Sequence, residues 1–165
     1  MTCFPVFRSF TLTSWKLYNT TFEKNGYDPL PNYTASTENT VSPAYPLTCV
    51  NGIKSILYSH TQFRTIAMLR TLLPEPWVEI HPAKAKELSI EDGDLVLVDS
   101  PRAQVRLKAV ITEAVSDPNA IFMPYGWGQA YVGGPVTNYL SPDQPRDPIS
   151  GSTSSHSFAC RIEKI

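Results

Sequence analysis

Positions 103–112 read AQVRLKAVIT, and the alternation is strict: Val105, Leu107, Ala109 and Ile111 take one side, Arg106 and Lys108 the other. Successive side chains of a β-strand point to opposite faces, so this period of two predicts a strand with one buried face. Such a strand cannot bury that face by itself and needs partners. The chain offers five more short candidates: YPLTCV (45–50), ended by Asn51-Gly52, then WVEI (77–80), LVLVD (95–99), AIFMP (120–124) and SFACRIEKI (157–165). Between them, TQFRTIAMLRTLL (61–73) has apolar residues at 63, 66, 69, 72 and 73, which predicts an amphipathic helix with Thr61 as N-cap and Pro74 as its stop. HPAKAKELSI (81–90) begins a second helix of about two turns, with Pro82 in the first turn, and EDGD (91–94) is a turn. Several strands interrupted by short helices, in 165 residues of which 42% are hydrophobic, fit one closed β-barrel.

The remaining segments and the charge narrow the functional classes. Residues 1–44 are rich in Thr, Ser, Asn and Pro, carry the turn signals NGYDPLPNY and STENTVSP, and read as an N-terminal arm or linker ahead of a domain at 45–165. Residues 125–156 form a long loop with repeated Gly and Pro. A net charge of -1 without a Lys/Arg run argues against nucleic acid or a membrane surface as partner. No apolar run approaches a bilayer span, and MTCFPVFRSF has neither a basic n-region nor a cleavage site, so a soluble chain is expected. Cys3, Cys49 and Cys160 are odd in number and form no C-x-x-C, which points to small hydrophobes rather than a disulfide framework or a zinc or iron-sulfur site.

The run EIHPAKAKELSIEDGDLVLVDSPRAQVRLKAVITEAV resembles the core of the double-psi β-barrel that forms the C-terminal pterin-dinucleotide-binding domain of the dimethyl sulfoxide reductase family of molybdenum or tungsten oxidoreductases. The likeness continues through YPLTCVNGIKSILYSHTQFRTIAMLR before it and FMPYGWGQAYVGGPVTNYLSPDQPRDPISGS and CRIEKI after it. It implies a mainly β fold, a double-psi β-barrel with short helices of the aspartate-decarboxylase-like kind, with residues 1–44 the remnant of an upstream domain. It also implies a molybdopterin guanine dinucleotide as cofactor, with Mo or W in the complete enzyme. Family catalytic subunits are several times longer and carry the metal ligand upstream, so the expected partners are upstream domains or a subunit of a molybdopterin oxidoreductase. No catalytic or metal-binding residue is expected within this chain, and the complete enzyme is expected in the cytoplasm or periplasm.

A pyrophosphate calls for a close backbone approach and for positive charge at a helix start. Gly52 is a candidate for the approach and Lys54 for the charge. His60 and Thr61 stand where a helix N-terminus presents free N–H groups, and Arg64 lies one turn inside. Their plainer alternatives are a helix cap beside a surface histidine and solvated charges. His81 is expected to be a turn residue. In the long loop the resemblance implies cofactor contacts at Gly126, Trp127, Asn138 and His156, with a packed lid as the other reading of Trp127. Ser89 and Ala103 stand where the family usually has glycine at φ > 0, each at a penalty on the order of 1 kcal/mol. Thr153 and His156 replace the family's usual Pro and basic residue. Two other classes share the barrel: a self-cleaving pyruvoyl decarboxylase, for which Gly151-Ser152 is the matching bond, and a cofactor-free protein-binding module.

Overall fold

The computed structural model describes residues 17–33, 40–52, 55–127, 137–153 and 156–165. The chain divides into two units, Met1–Ala35 and Ser36–Ile165. Within the first, the stretch expected to be extended carries one short helix, α1 (Thr20–Lys24), because Asn19 caps it by accepting from Thr21 N at 3.0 Å and Phe22 N at 3.2 Å. The Asn19 N–H then donates to Pro29 O at 2.9 Å, and Phe22 meets Tyr27 edge to face, folding the segment back on itself.

The second unit contains the six expected strands: β1 (Leu47–Gly52), β2 (Trp77–Ile80), β3 (Leu95–Asp99), β4 (Gln104–Ile111), β5 (Ala120–Pro124) and β6 (Ser157–Lys164). They close into a barrel in the order β1-β5-β2-β4-β3-β6, the double-psi arrangement. Asn51 and Gly52 extend β1 rather than ending it, since both pair in register with Met123 and Pro124 of β5. β4 keeps the period read from its sequence, with Val105, Leu107 and Ala109 buried and Arg106 and Lys108 outside. These join Val78, Ile80, Val96, Val98, Ile121, Met123 and Ile162 in one core. Cys49 and Cys160 are buried and unoxidised within it; burial pushes the Cys49 thiol well above its usual range, with the Cys160 thiol as hydrogen-bonding neighbour.

The strand directions place the connections. β1 and β5 run parallel, as do β2 and β4, while every other neighbouring pair is antiparallel. One rim therefore collects the C-terminal ends of β1, β3 and β5 and the N-terminal ends of β2, β4 and β6. Three connections cross that rim: β1 to β2, the hairpin from β3 to β4, and the long segment from β5 to β6. The opposite rim carries the β2–β3 and β4–β5 connections.

On that opposite rim, α3 (Pro82–Glu87) is capped by His81, whose Nδ1 accepts from Ala83 N at 3.0 Å. The helix ends in a Schellman motif: Ile90 N donates to Ala85 O at 2.8 Å and Ser89 N to Lys86 O at 3.2 Å, with Ser89 at φ 55°. The left-handed conformation expected at Ser89 is thus present. At Ala103 it is not, since the non-glycine residues with positive φ among those described are His60, Phe63 and Ser89. Ser100 closes that hairpin instead: its N–H donates to Ala103 O at 3.0 Å and its Oγ accepts from Ala103 N at 3.4 Å. Ser89→Gly is accordingly expected to raise the stability of the barrel by about 0.5–1 kcal/mol, read as a higher urea midpoint at unchanged slope, whereas Ala103→Gly gains nothing.

Candidate functional site

Every described candidate residue read from the sequence belongs to a connection on the same rim. Gly52 ends β1; Lys54, His60, Thr61 and Arg64 fall in the β1–β2 connection; Gly126, Trp127, Asn138 and His156 fall in the β5–β6 connection. Lys54 lies outside the described residues. The remaining eight do not form one cluster, and their surroundings differ.

The tightest grouping surrounds Arg64, which is only 2% exposed. Its guanidinium carbon lies 3.5 Å from the Trp127 ring centroid and 4.0 Å from that of Tyr58, so the cation packs on both rings in the corner where they meet edge to face. Trp127 also meets Tyr58 and Trp77 edge to face, at centroid distances of 6.0 and 6.4 Å. Tyr58 is fixed from behind by donating its hydroxyl to Leu73 O at 3.2 Å. Arg64 Nε donates to His60 O at 3.4 Å, but Arg64 Nη1 and Trp127 Nε1 are buried without an acceptor. Burial lowers the Arg64 pKa, partly offset by the Tyr58 hydroxyl. Tyr58 and Trp77 were not among the candidate site residues. Their signal was an aromatic residue early in the β1–β2 connection and another where β2 begins.

Gly126 makes a close approach of its own, to the backbone of the other connection. A Cβ on Gly126 would lie 2.3 Å from the His60 carbonyl oxygen, and its φ is 90°. A Cβ on Gly52 would make only an ordinary contact of 3.4 Å with the Phe122 ring. The approach presses the segment after β1 against the segment after β5, with the His60 ring tilted over Tyr125 at a centroid distance of 4.5 Å.

The helix start does not lie where the periodicity put it. α2 covers Ala67–Leu72, its N-cap position is Ile66, and no side chain caps it. Thr61 is therefore not an N-cap, and a helix of six residues beginning after it offers no N-terminal anion site there. His60 and Phe63 take φ of 53° and 67°, and Ser59 bridges to Gln62, so the chain makes tight turns through 59–65. These turns carry Arg64 into contact with the Tyr58 and Trp127 rings, a long-range packing that local periodicity does not register. The expected apolar stripe is split: Phe63, Ile66 and Leu72 are exposed, whereas Leu69 and Leu73 are half-buried.

Asn138 sits in a 3-10 turn, Thr137–Tyr139, whose following residue Leu140 is buried in the core. Beside it runs a groove of about 410 Å³ lined by Pro101, Arg102, Leu140, Pro142, Phe158 and Ala159. Arg102 pairs with Asp143 across its edge. The Asn138 side chain is exposed, as is that of His156, whose carbonyl accepts from Asn51 N at 2.9 Å. Further along, Asp147 ties a turn by accepting from Ser150 N at 2.6 Å and Ile149 N at 3.1 Å. The Ser150 backbone N–H, then its hydroxyl, then the Ile149 N–H hold the Asp147 carboxyl below its usual range. A depressed carboxyl stabilises the fold above its unfolded value of about 3.9 and loses that contribution as pH falls through the folded one. Carboxyl carbon NMR is expected to report an Asp147 midpoint below about 3.9, and Asp147→Asn to remove the associated pH dependence of the Ser150 amide shift.

Chemically, this rim offers a buried cation, two buried donors lacking acceptors, an exposed amide and two histidines. Such a set fits an anionic, oxygen-rich ligand, and therefore fits a dinucleotide. No group of three metal-ligating side chains occurs among the described residues. A closed barrel that gathers these donors along one rim defines a ligand-binding domain. Residues 49–159 match the family described as "Molydopterin dinucleotide binding domain". Acetylene hydratase of Syntrophotalea acetylenica is 30% identical over 131 residues, 75% of this chain and 18% of that one. Nitrate reductase of Klebsiella oxytoca is 28% identical over 160 residues, 96% of this chain and 18% of that one. The solved structure of acetylene hydratase from Pelobacter acetylenicus superposes with a TM-score of 0.71 at 24% identity, over 90% of this chain and 23% of that one. The chain belongs to the molybdopterin dinucleotide-binding domain family, and it spans less than a fifth of the length of these two sequence relatives.

Proposed function

We propose that this chain holds one molybdopterin guanine dinucleotide along the rim described above, as the cofactor-binding part of a larger molybdenum or tungsten oxidoreductase. The observation that supports the reading is that the eight described candidate residues lie on two connections of one rim, which Gly126 and His60 press together. Arg64 and Trp127 would meet the anionic part of the ligand. His60 and the backbone around Gly126 would line its path, with Gly52, Lys54 and Thr61 on the same connection. Asn138 would pair with a ring edge through its amide, and His156 would stand where the family usually carries a basic residue. When bound, the group supplies the metal-centred redox chemistry, and this chain's residues bind and orient it.

The same rim exposes Ile56 at 99%, Met68 at 68%, Leu72 at 64% and Phe63 at 55%. An apolar band of this kind beside a ligand site suits the covering face of a neighbouring domain or subunit of the complete enzyme. Among the described residues no helix is long and apolar enough to cross a membrane.

The test is to produce the chain in a host that makes the cofactor, oxidise the purified protein, and measure pterin fluorescence together with released guanine nucleotide. Near-equimolar amounts of both are expected. Their absence, under conditions that load a full-length relative, rejects the reading. With reduced viologen and nitrate, dimethyl sulfoxide or thiosulfate, the chain alone is expected to show no turnover, and stoichiometric molybdenum with turnover would contradict its role as a binding part only.

A further inference from the structure

We propose that Glu79 is a positioning residue for the ligand rim: it fixes the ring of Trp77, which in turn fixes Trp127. The role it serves is the dinucleotide binding proposed above, and the proposal rests on that reading. The starting point is where Glu79 lies. Val78 and Ile80 of β2 enter the barrel core, so Trp77 and Glu79, two residues apart, share the outer face of the strand. An outward carboxylate on a barrel wall is ordinarily hydrated, yet Glu79 is only 4% exposed. Its register neighbours are Val110 of β4 and Phe122 of β5. It borders a groove of about 370 Å³ on the outer wall, with Val50, Val115 and Phe122 among the other lining residues. Val115 belongs to the β4–β5 connection, on the rim opposite the candidate site. Glu79 thus reaches the ligand rim through another side chain.

That side chain is Trp77, whose Nε1 donates to Glu79 Oε1 at 3.0 Å. An indole has a single N–H and no acceptor, so this bond sets the direction in which the ring faces. Because the acceptor is a carboxylate held in a largely apolar setting, the bond is stronger than one between neutral groups. The Trp77 ring then meets Trp127 edge to face, at a centroid distance of 6.4 Å and an interplanar angle of 82°. Edge-to-face contact depends on ring orientation, so a Trp77 released from Glu79 no longer presents the same edge. Trp127 is then left with Tyr58 as its remaining aromatic neighbour among the described residues and is less closely held on Arg64. A run of three contacts therefore joins a carboxylate on the outer wall to the buried cation of the rim. Support of this kind keeps a binding group in one orientation before the ligand arrives.

The experiment records the side-chain N–H resonances of the tryptophans and of Arg64 in the 165-residue chain, then titrates the same samples with GDP by calorimetry. Glu79→Leu and Trp77→Phe are each expected to shift the Trp127 and Arg64 resonances and to weaken GDP by about 3–10-fold. Glu79→Gln still offers an amide oxygen to the indole, so the Trp127 resonance and the affinity, within about twofold, are expected to be rescued. In the double variant Glu79→Leu adds nothing to Trp77→Phe, because both remove one bond. The amides of Val105 and Leu107 in β4 stay in place throughout, which separates positioning from loss of the barrel. If Glu79→Leu does not fold, Trp77→Phe, which keeps an aromatic ring, decides alone. Trp127 and Arg64 resonances that do not move overturn the proposal whether or not GDP binds, and so do additive effects in the double variant. Undiminished GDP affinity in Glu79→Leu and Trp77→Phe overturns it and leaves the dinucleotide reading standing. Failure of GDP to bind the unaltered chain counts against the dinucleotide reading, and Glu79 then keeps a structural role only.

Discussion

Gly126→Ala is expected to destabilise the barrel domain by about 2–4 kcal/mol and to detach the segment 58–64 from the rim. Two costs add at this position. Its φ of 90° is strained for any residue with a side chain, and the new Cβ would lie 2.3 Å from the His60 carbonyl oxygen, an atom that cannot rotate away. Relief requires the His60 backbone to move. That movement breaks the bond from Arg64 Nε to His60 O and separates the His60 ring from Tyr125. The measurement is urea unfolding together with near-ultraviolet dichroism, because Trp127 is held by the same contacts. A variant of unchanged stability with an intact aromatic signal would mean that the two connections are not pressed together at this point.

Two replacements of Arg64 are expected to diverge in stability. Arg64→Ala removes both aromatic contacts and leaves a gap between the Tyr58 and Trp127 rings, at a cost of about 1–3 kcal/mol. Arg64→Met refills most of that space and removes a desolvated charge, so its stability is expected to stay within about 1 kcal/mol of the original. The plainer alternative offered by the sequence, a solvated charge, would leave stability unchanged in both variants. At 2% exposure that premise does not hold. If both variants lose stability equally, the charge itself contributes to folding, and the reading of Arg64 as a cation kept for a ligand weakens.

Strand identity was readable because it depends on a local quantity. The alternation at Val105, Leu107 and Ala109 needs no knowledge of partners to predict a one-sided strand, and all six strands formed in the stretches so identified. The same holds for Pro82 at a helix start and for the turn at EDGD, where Gly93 takes a φ of 86°. The family was also legible, since its motifs lie in order along the chain and the match covers residues 49–159.

The rim belonged to tertiary structure. Local periodicity placed a helix start at Thr61, but the chain turns through 59–65, packing Arg64 on two distant rings, and begins its helix at Ala67. Tyr58 and Trp127 are 69 positions apart in sequence, and no local pattern brings them together (127 − 58 = 69). Gly52 and Gly126 look alike as single letters, yet only Gly126 meets another backbone. Period and turn chemistry act within a few residues, so the sequence by itself determined the elements and their family. Which side chains share a rim depends on barrel closure, where parallel pairing of β1 with β5 carries two distant connections to the same end.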